Sequence, residues 1–204
     1  MKKILSILTA FCMAAAASFM ATQVGNGRRL VSLSLGSPAL GTTTGAHAAV
    51  TDNGAQQTVT TGFTQPPTPR NVTATAGGTA TDIKNISVTV NGTDEFDAVL
   101  QEVLPAFTLD TAGTVVGVKV FKTITNMVIP AHDGVGATTA LGFGAKLGLG
   151  RLLSRDTVVS AFLNGVREAT RPTVTFSPTL VNSNAVVLNS ALNGTPVVVD
   201  LYDG

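Results

Sequence analysis

Tryptophan is absent from this chain, tyrosine occurs once (Tyr202) and histidine twice (His47 and His132). Sugar-binding faces stack their ligands on aromatic rings by the π-face contact that also seats nucleobases, so this composition argues against a carbohydrate-binding module. Charged side chains are 12% of the 204 residues, about half the roughly 25% of an ordinary domain. Net charge is +1, which leaves no basic excess for neutralising a phosphate backbone and no electrostatic case for nucleic acid. A single cysteine, Cys12, excludes an intramolecular disulfide, so the fold is not a stapled scaffold.

What remains is small, apolar or hydroxylated. Apolar residues are 44% of the chain, and Thr, Val, Ala, Gly and Ser dominate the composition. Thr and Val are stiff at χ1 and suit a pleated surface. The length fits one domain, or one domain with a tail. Charge is uneven: acids cluster from Asp94 to Asp110 and bases from Lys146 to Arg171. Such patches can pair subunits, although solvated faces are the simpler reading.

The first residues, MKKILSILTAFCMAAAASFMATQ, have the layout of a secretory signal: Lys2-Lys3, an apolar run from Ile4, then small residues around Ala15 to Ser18. Phe11 before Cys12 does not fit a lipoprotein signal. The apolar run is interrupted and near the lower limit for a membrane span. Met20-Ala21-Thr22 also makes a natural start, which would leave residues 1–19 as an upstream extension. Both readings stay open.

Alternation of apolar and polar residues predicts about ten short strands. RRLVSLSLG is the first. AHAAVTDNGAQQTVTT reads as two strands around the hairpin signal Asp52-Asn53-Gly54. QPPTPR interrupts the pattern, because proline cannot donate to a ladder. DIKNISVTVNGTDEFDAVLQEVL reads as a hairpin turning at Asn91-Gly92, with Phe96, Ala98 or Val99, and Val103 facing inward after the turn. GTVVGVKVFKTITNMVIP reads as one long strand ended by Pro130, with Phe121, Ile124, Met127 and Ile129 as packing candidates. ATTALGFGAKLGLG gives a strand and then a glycine-rich bend. Arg151–Asp156 has the pattern of a helical turn, TVVSAFLNG that of a strand. The last 33 residues supply two or three more strands, with Asn193-Gly194 as a hairpin turn. No heptad, solenoid repeat or βαβ alternation is present. The expected fold is all-β, a β-sandwich of Ig-like or jelly-roll-like type. Residues 1–19 form the leader or extension, 20–69 an extended N-terminal arm with short strands, and 70–204 the sandwich domain.

Four patterns carry candidate chemistry. His132-Asp133 supplies two members of a hydrolytic triad or part of a metal site, but no Gly-x-Ser-x-Gly elbow or His-x-x-x-His pair accompanies it. Asp133-Gly134 is also an ordinary turn after a strand. Asp94, Glu95 and Asp97 are an acid group of the kind that binds calcium on loops, yet they lack the ligand spacing of an EF-hand. Gly142, Gly144, Gly148 and Gly150 suggest a phosphate loop, but no Gly-Lys-Ser/Thr follows, and backbone bending explains them more simply. Glycosylation sequons begin at Asn71, Asn85, Asn91 and Asn193 and are expected by chance in a chain so rich in threonine. No catalytic residue, cofactor or metal ligand is therefore expected.

The segment Lys119-Val120-Phe121-Lys122-Thr123-Ile124-Thr125, preceded by QEVLPAFTLDTAGT, resembles a phrase found in β-rich virion proteins of tailed bacteriophages. The likeness runs from about Pro66 to Leu149, with weaker likeness from Arg28 and through NSALNGTPVVVDLYD. The resemblance implies a virion structural protein, most simply a head decoration or cement protein held by non-covalent packing, and no enzyme. It implies the major capsid protein or neighbouring virion subunits as partners, a homo-oligomer such as a trimer, and no membrane or nucleic-acid partner. It also implies assembly in the host cytoplasm. The signal-like leader supports an alternative, an exported bacterial surface or adhesion domain. A phage tail component is the nearest variant, and a hydrolase built on His132 is disfavoured.

Overall fold

A computed structural model describes residues 28–203. The leader, Cys12 and the alternative start at Met20 lie outside the described residues. In chain order the strands are β1 (Arg29–Ser34), β2 (His47–Thr51), β3 (Gln57–Val59), β4 (Arg70–Gly78), β5 (Thr89–Thr93), β6 (Val99–Val103) and β7 (Gly113–Phe121). They continue with β8 (Thr123–Ile129), β9 (Ala137–Gly148), β10 (Val158–Leu163), β11 (Val166–Arg167), β12 (Thr173–Thr175), β13 (Ala185–Val187) and β14 (Val197–Asp203). The only helical pieces among the described residues are single 3₁₀ turns at Ala80–Asp82 and Val181–Ser183. The chain is all-β, built of stacked antiparallel sheets as its residue pattern predicts.

The described residues form three sheets. One has the order β12-β13-β9-β4-β7, with β2 also on β9. A second, β3-β8-β5-β6, lies against it. Between them pack Val72 and Ala74 of β4, Leu141 of β9, Val90 of β5 and Met127 of β8, all without solvent contact. The third sheet, β1-β14-β10-β11, covers a separate apolar cluster that includes Leu147, Leu149, Val186, Val199 and Leu201. Strand β9 serves both clusters: Ala137, Leu141 and Phe143 lie in the first and Leu147 in the second.

The expected single strand through Val118–Ile129 breaks at Lys122. Strand β7 pairs with β4 in one sheet and β8 pairs with β5 in the other. The corner changes the alternation, so Val120 and Phe121 are both buried, followed by Ile124, Met127 and Ile129. The four proposed packing residues are all core residues.

The hairpin of β5 and β6 is present, but it turns at Asp94–Asp97 and not at Asn91-Gly92. Asp94 Oδ1 accepts the N–H groups of Phe96 and Ala98 at 2.9 and 3.1 Å, and Asp97 takes a positive φ of 62°. Gly92 sits within β5, where a Cβ would lie 1.9 Å from the Thr123 carbonyl oxygen. The shifted turn moves the register of β6, and a one-residue shift exchanges the two faces of a strand. Leu100 and Glu102 therefore point inward, and Phe96, Val99 and Val103 point out, the reverse of the expectation. Asp52-Asn53-Gly54 is a turn, with Gly54 N–H donating to Asp52 Oδ2 at 2.8 Å. It joins no hairpin, because β2 goes to β9 and β3 to β8. Asn193-Gly194 likewise turns without a hairpin, since β13 and β14 lie in different sheets. Arg151–Asp156 is not helical; β9 is continuous through Gly148, and the expected glycine-rich bend follows it at Gly150, where φ is 59°.

Within the expected N-terminal arm, residues 29–59 carry short strands that pair with β14, β9 and β8 of the same chain; residues 20–27 lie outside the described residues. Two polar side chains fasten this segment. Arg70 is buried under it, donating from Nη1 to the Ala39 carbonyl at 3.0 Å and from Nε to Gly144 at 2.8 Å, with its guanidinium carbon 5.6 Å from the centroid of the Phe143 ring. Gln65 lies in the proline-rich stretch that forms no strand. Its amide donates to the Ile124 carbonyl at 3.0 Å and accepts the Ile124 N–H at 2.7 Å, doing for β8 what a neighbouring strand would do.

Candidate functional site

His132 is buried at the end of β8, and its ring is held on every side. Nδ1 accepts the Lys84 backbone N–H at 3.2 Å, which places the proton on Nε2, donating to Thr139 Oγ1 at 2.9 Å. The ring stacks on Phe107 at 6.0 Å between centroids. Burial pushes the imidazole below its ordinary pKa, against the smaller opposing pull of Asp52 and Asp133. Asp52 accepts the His132 backbone N–H at 3.0 Å and does not reach the ring, while Asp133 turns outward to Lys84 Nζ at 3.0 Å. A triad needs an acid accepting from one ring nitrogen and a nucleophile donating its proton to the other. Here a backbone amide and a threonine hydroxyl occupy those places, and the residues pin the 130–134 turn.

The three acids at the β5–β6 turn diverge. Asp94 caps the turn, and Asp97 pairs with Lys122 at 2.8 Å. Glu95 goes elsewhere: its Oε2 accepts the Gly150 N–H at 2.8 Å. Among the described residues no group of three or more His, Cys, Asp or Glu side chains converges as metal ligands. Gly142, Gly144 and Gly148 are strand residues of β9 in close contact with neighbouring chain. At Gly142 a Cβ would meet the Thr42 carbonyl oxygen at 2.1 Å, so backbone approach explains it and no phosphate loop forms. Of the sequon asparagines, Asn71 is buried and bridges strands, donating to Gly117 O and accepting from Lys146 N–H.

Glu95 instead lines a cleft of about 710 Å³ where β1, the Pro67–Pro69 segment, the β5–β6 turn and the end of β9 meet. Burial, assisted by Asp94, lifts its carboxyl to a pKa of about 7, and the Gly150 hydrogen bond only partly offsets this. On the rim stand Phe96, 58% exposed, and Leu152, 48% exposed. Both continue into a neighbouring hollow with Val99, 91% exposed, and Leu180. This is an apolar surface around a carboxyl that is neutral or charged near physiological pH. By residue pattern alone Glu95 is only part of an acid cluster, and Phe96 and Ala98 or Val99 face inward. A phenylalanine between acids in Asp94-Glu95-Phe96-Asp97 was the available signal, because a turn tip has no core to bury it in.

No protein-family model matches this chain, and no curated protein or solved structure is significantly similar to it.

Proposed function

We propose that this chain is a structural protein of a tailed-phage virion, a decoration or cement subunit that stabilises the head by non-covalent packing. The observation that carries the reading is the exposed apolar group Phe96, Val99, Leu152 and Leu180 around one hollow beside the β5–β6 turn. Contiguous exposed apolar side chains of this kind mark protein–protein contact on a soluble surface. The low charge and small side chains suit a subunit packed among others, and the Lys119–Thr125 phrase supplies the phage context. Closed homo-oligomers such as trimers would cover further edge strands. A tail position uses the same surface.

Mass spectrometry of purified particles tests this. The chain is expected there, starting at Met1 or near Met20. A mature protein starting near Ser18 in the periplasm or medium, and missing from particles, overturns the reading in favour of an exported surface domain.

A further inference from the structure

We infer that the Glu95 cleft is a docking site for an extended segment of another protein, one that presents a lysine or arginine beside an apolar side chain. The inference rests on the assembly reading only for the partner being a protein. Its geometry is independent. At about 710 Å³ the cleft has the size of a ligand pocket, within the usual range of about 300–1,000 Å³. Its floor is backbone: Gly148 and Gly150 lie against the Glu95 carboxyl, with the Gly150 N–H on Oε2. Its rim offers Phe96 and Leu152 to an apolar side chain.

Charge decides the occupant. The walls given by β1 and by Pro67–Pro69 carry no ionisable group. From the turn, Asp94 repels the Glu95 carboxylate. From beyond β9, Arg151 lines the cleft and already has an interaction of its own. Burial outweighs the Gly150 hydrogen bond and holds the Glu95 carboxyl near pKa 7, so a negative charge is poorly stabilised where it stands. A partner that covers the cleft without a cation buries this group further and must keep it protonated. A partner that brings a cation gains a short, shielded ion pair. Apolar and cationic groups on one extended segment satisfy both the rim and the floor.

Amide chemical shifts of the ¹⁵N-labelled full chain, titrated with two peptides, test the proposal. The probes are acetyl-Gly-Leu-Lys-Leu-Gly-amide and the same peptide with Glu for Lys, at about pH 8, above the titration of Glu95. The lysine peptide is expected to move the amides of Phe96, Gly148 and Gly150 with a Kd of about 1 mM, ordinary for a short flexible ligand. The glutamate peptide should bind about tenfold more weakly, and Glu95→Gln should remove that preference. Lysine-peptide binding should also weaken as pH falls through 7. Equal binding of both peptides, or no shift at these amides up to about ten times that Kd, overturns the inference. The wild-type pair decides even if a variant folds poorly. Absence of the chain from particles would sink the virion reading and leave this result standing.

Discussion

Glu102 Oε1 accepts the backbone N–H of Val118 at 2.6 Å, and this contact closes one side of the sandwich. Strands β6 and β7 are the facing edges of two sheets and share no ladder. The buried Glu102 carboxylate also accepts the Lys119 N–H at 3.2 Å, and Lys119 Nζ returns a bond to the Gln101 carbonyl at 2.7 Å. A hydrogen bond to a charged group contributes about 1.5–3 kcal/mol. Glu102→Gln should cost about 1–3 kcal/mol in urea unfolding, with the m-value unchanged. Hydrogen exchange at the Val118 and Lys119 amides should accelerate first.

Two buried groups give stability opposite pH slopes. His132 resists protonation when folded and accepts it at its ordinary pKa of 6.5 when unfolded. Its contribution is present above 6.5 and is lost as pH falls below that. Glu95 behaves in the reverse sense. Its folded pKa of about 7 exceeds the ordinary 4.5, so its contribution is full below 4.5 and is lost as pH rises through 7. Thermal unfolding across this range should show Glu95→Gln flattening the decline toward neutral pH. His132→Gln should lower stability overall and remove part of the acid limb. A Glu95→Gln profile identical in shape to the wild type would refute the assignment.

Phe121, in the core, and Phe96, on the surface of the β5–β6 turn, should respond differently to truncation. Phe121 has no exposed surface, so Phe121→Ala should cost about 3–5 kcal/mol. Phe96 is more than half exposed, and Phe96→Ser should change unfolding by only about 0.5 kcal/mol. Its effect should appear in association: reduced light scattering at high concentration and weaker retention on particles.

The all-β architecture was legible because it rests on period-two alternation, which survives without tertiary knowledge. Phe121, Met127 and Ile129 are buried as the alternation requires, and Ile124 joins them through the register shift of β8 opposite Asn91 and Gly92. What was not legible depends on long-range pairing. Asn91-Gly92 has the sequence of a tight turn, yet Gly92 is needed where β5 presses on the Thr123 carbonyl, and Asp94 caps the turn two residues later. That displacement reversed the faces of β6 and concealed the apolar surface. Asp52-Asn53-Gly54 turns correctly, but which sheets its flanking strands join is set by β8 and β9, some 70 to 90 residues away in the chain. The Glu95 site was illegible for the same reason: residues near 34, 68, 95 and 150 meet only in the fold.

Gly92 gives the sharpest test of this packing. A methyl there would lie 1.9 Å from the Thr123 carbonyl oxygen and 2.9 Å from its carbon. Both are backbone atoms of a paired strand, so no side chain can rotate away, and β5 would have to separate from β8 locally. Gly92→Ala should therefore cost about 3 kcal/mol or more, at the upper end for overpacking. Gly113 is the control. It begins β7, has nothing within 4 Å of the added Cβ and has no positive φ. Gly113→Ala should stay within about 0.5 kcal/mol of the wild type. Equal unfolding midpoints for the two variants in guanidinium would refute the β5–β8 register and, with it, the outward placement of Phe96 and Val99.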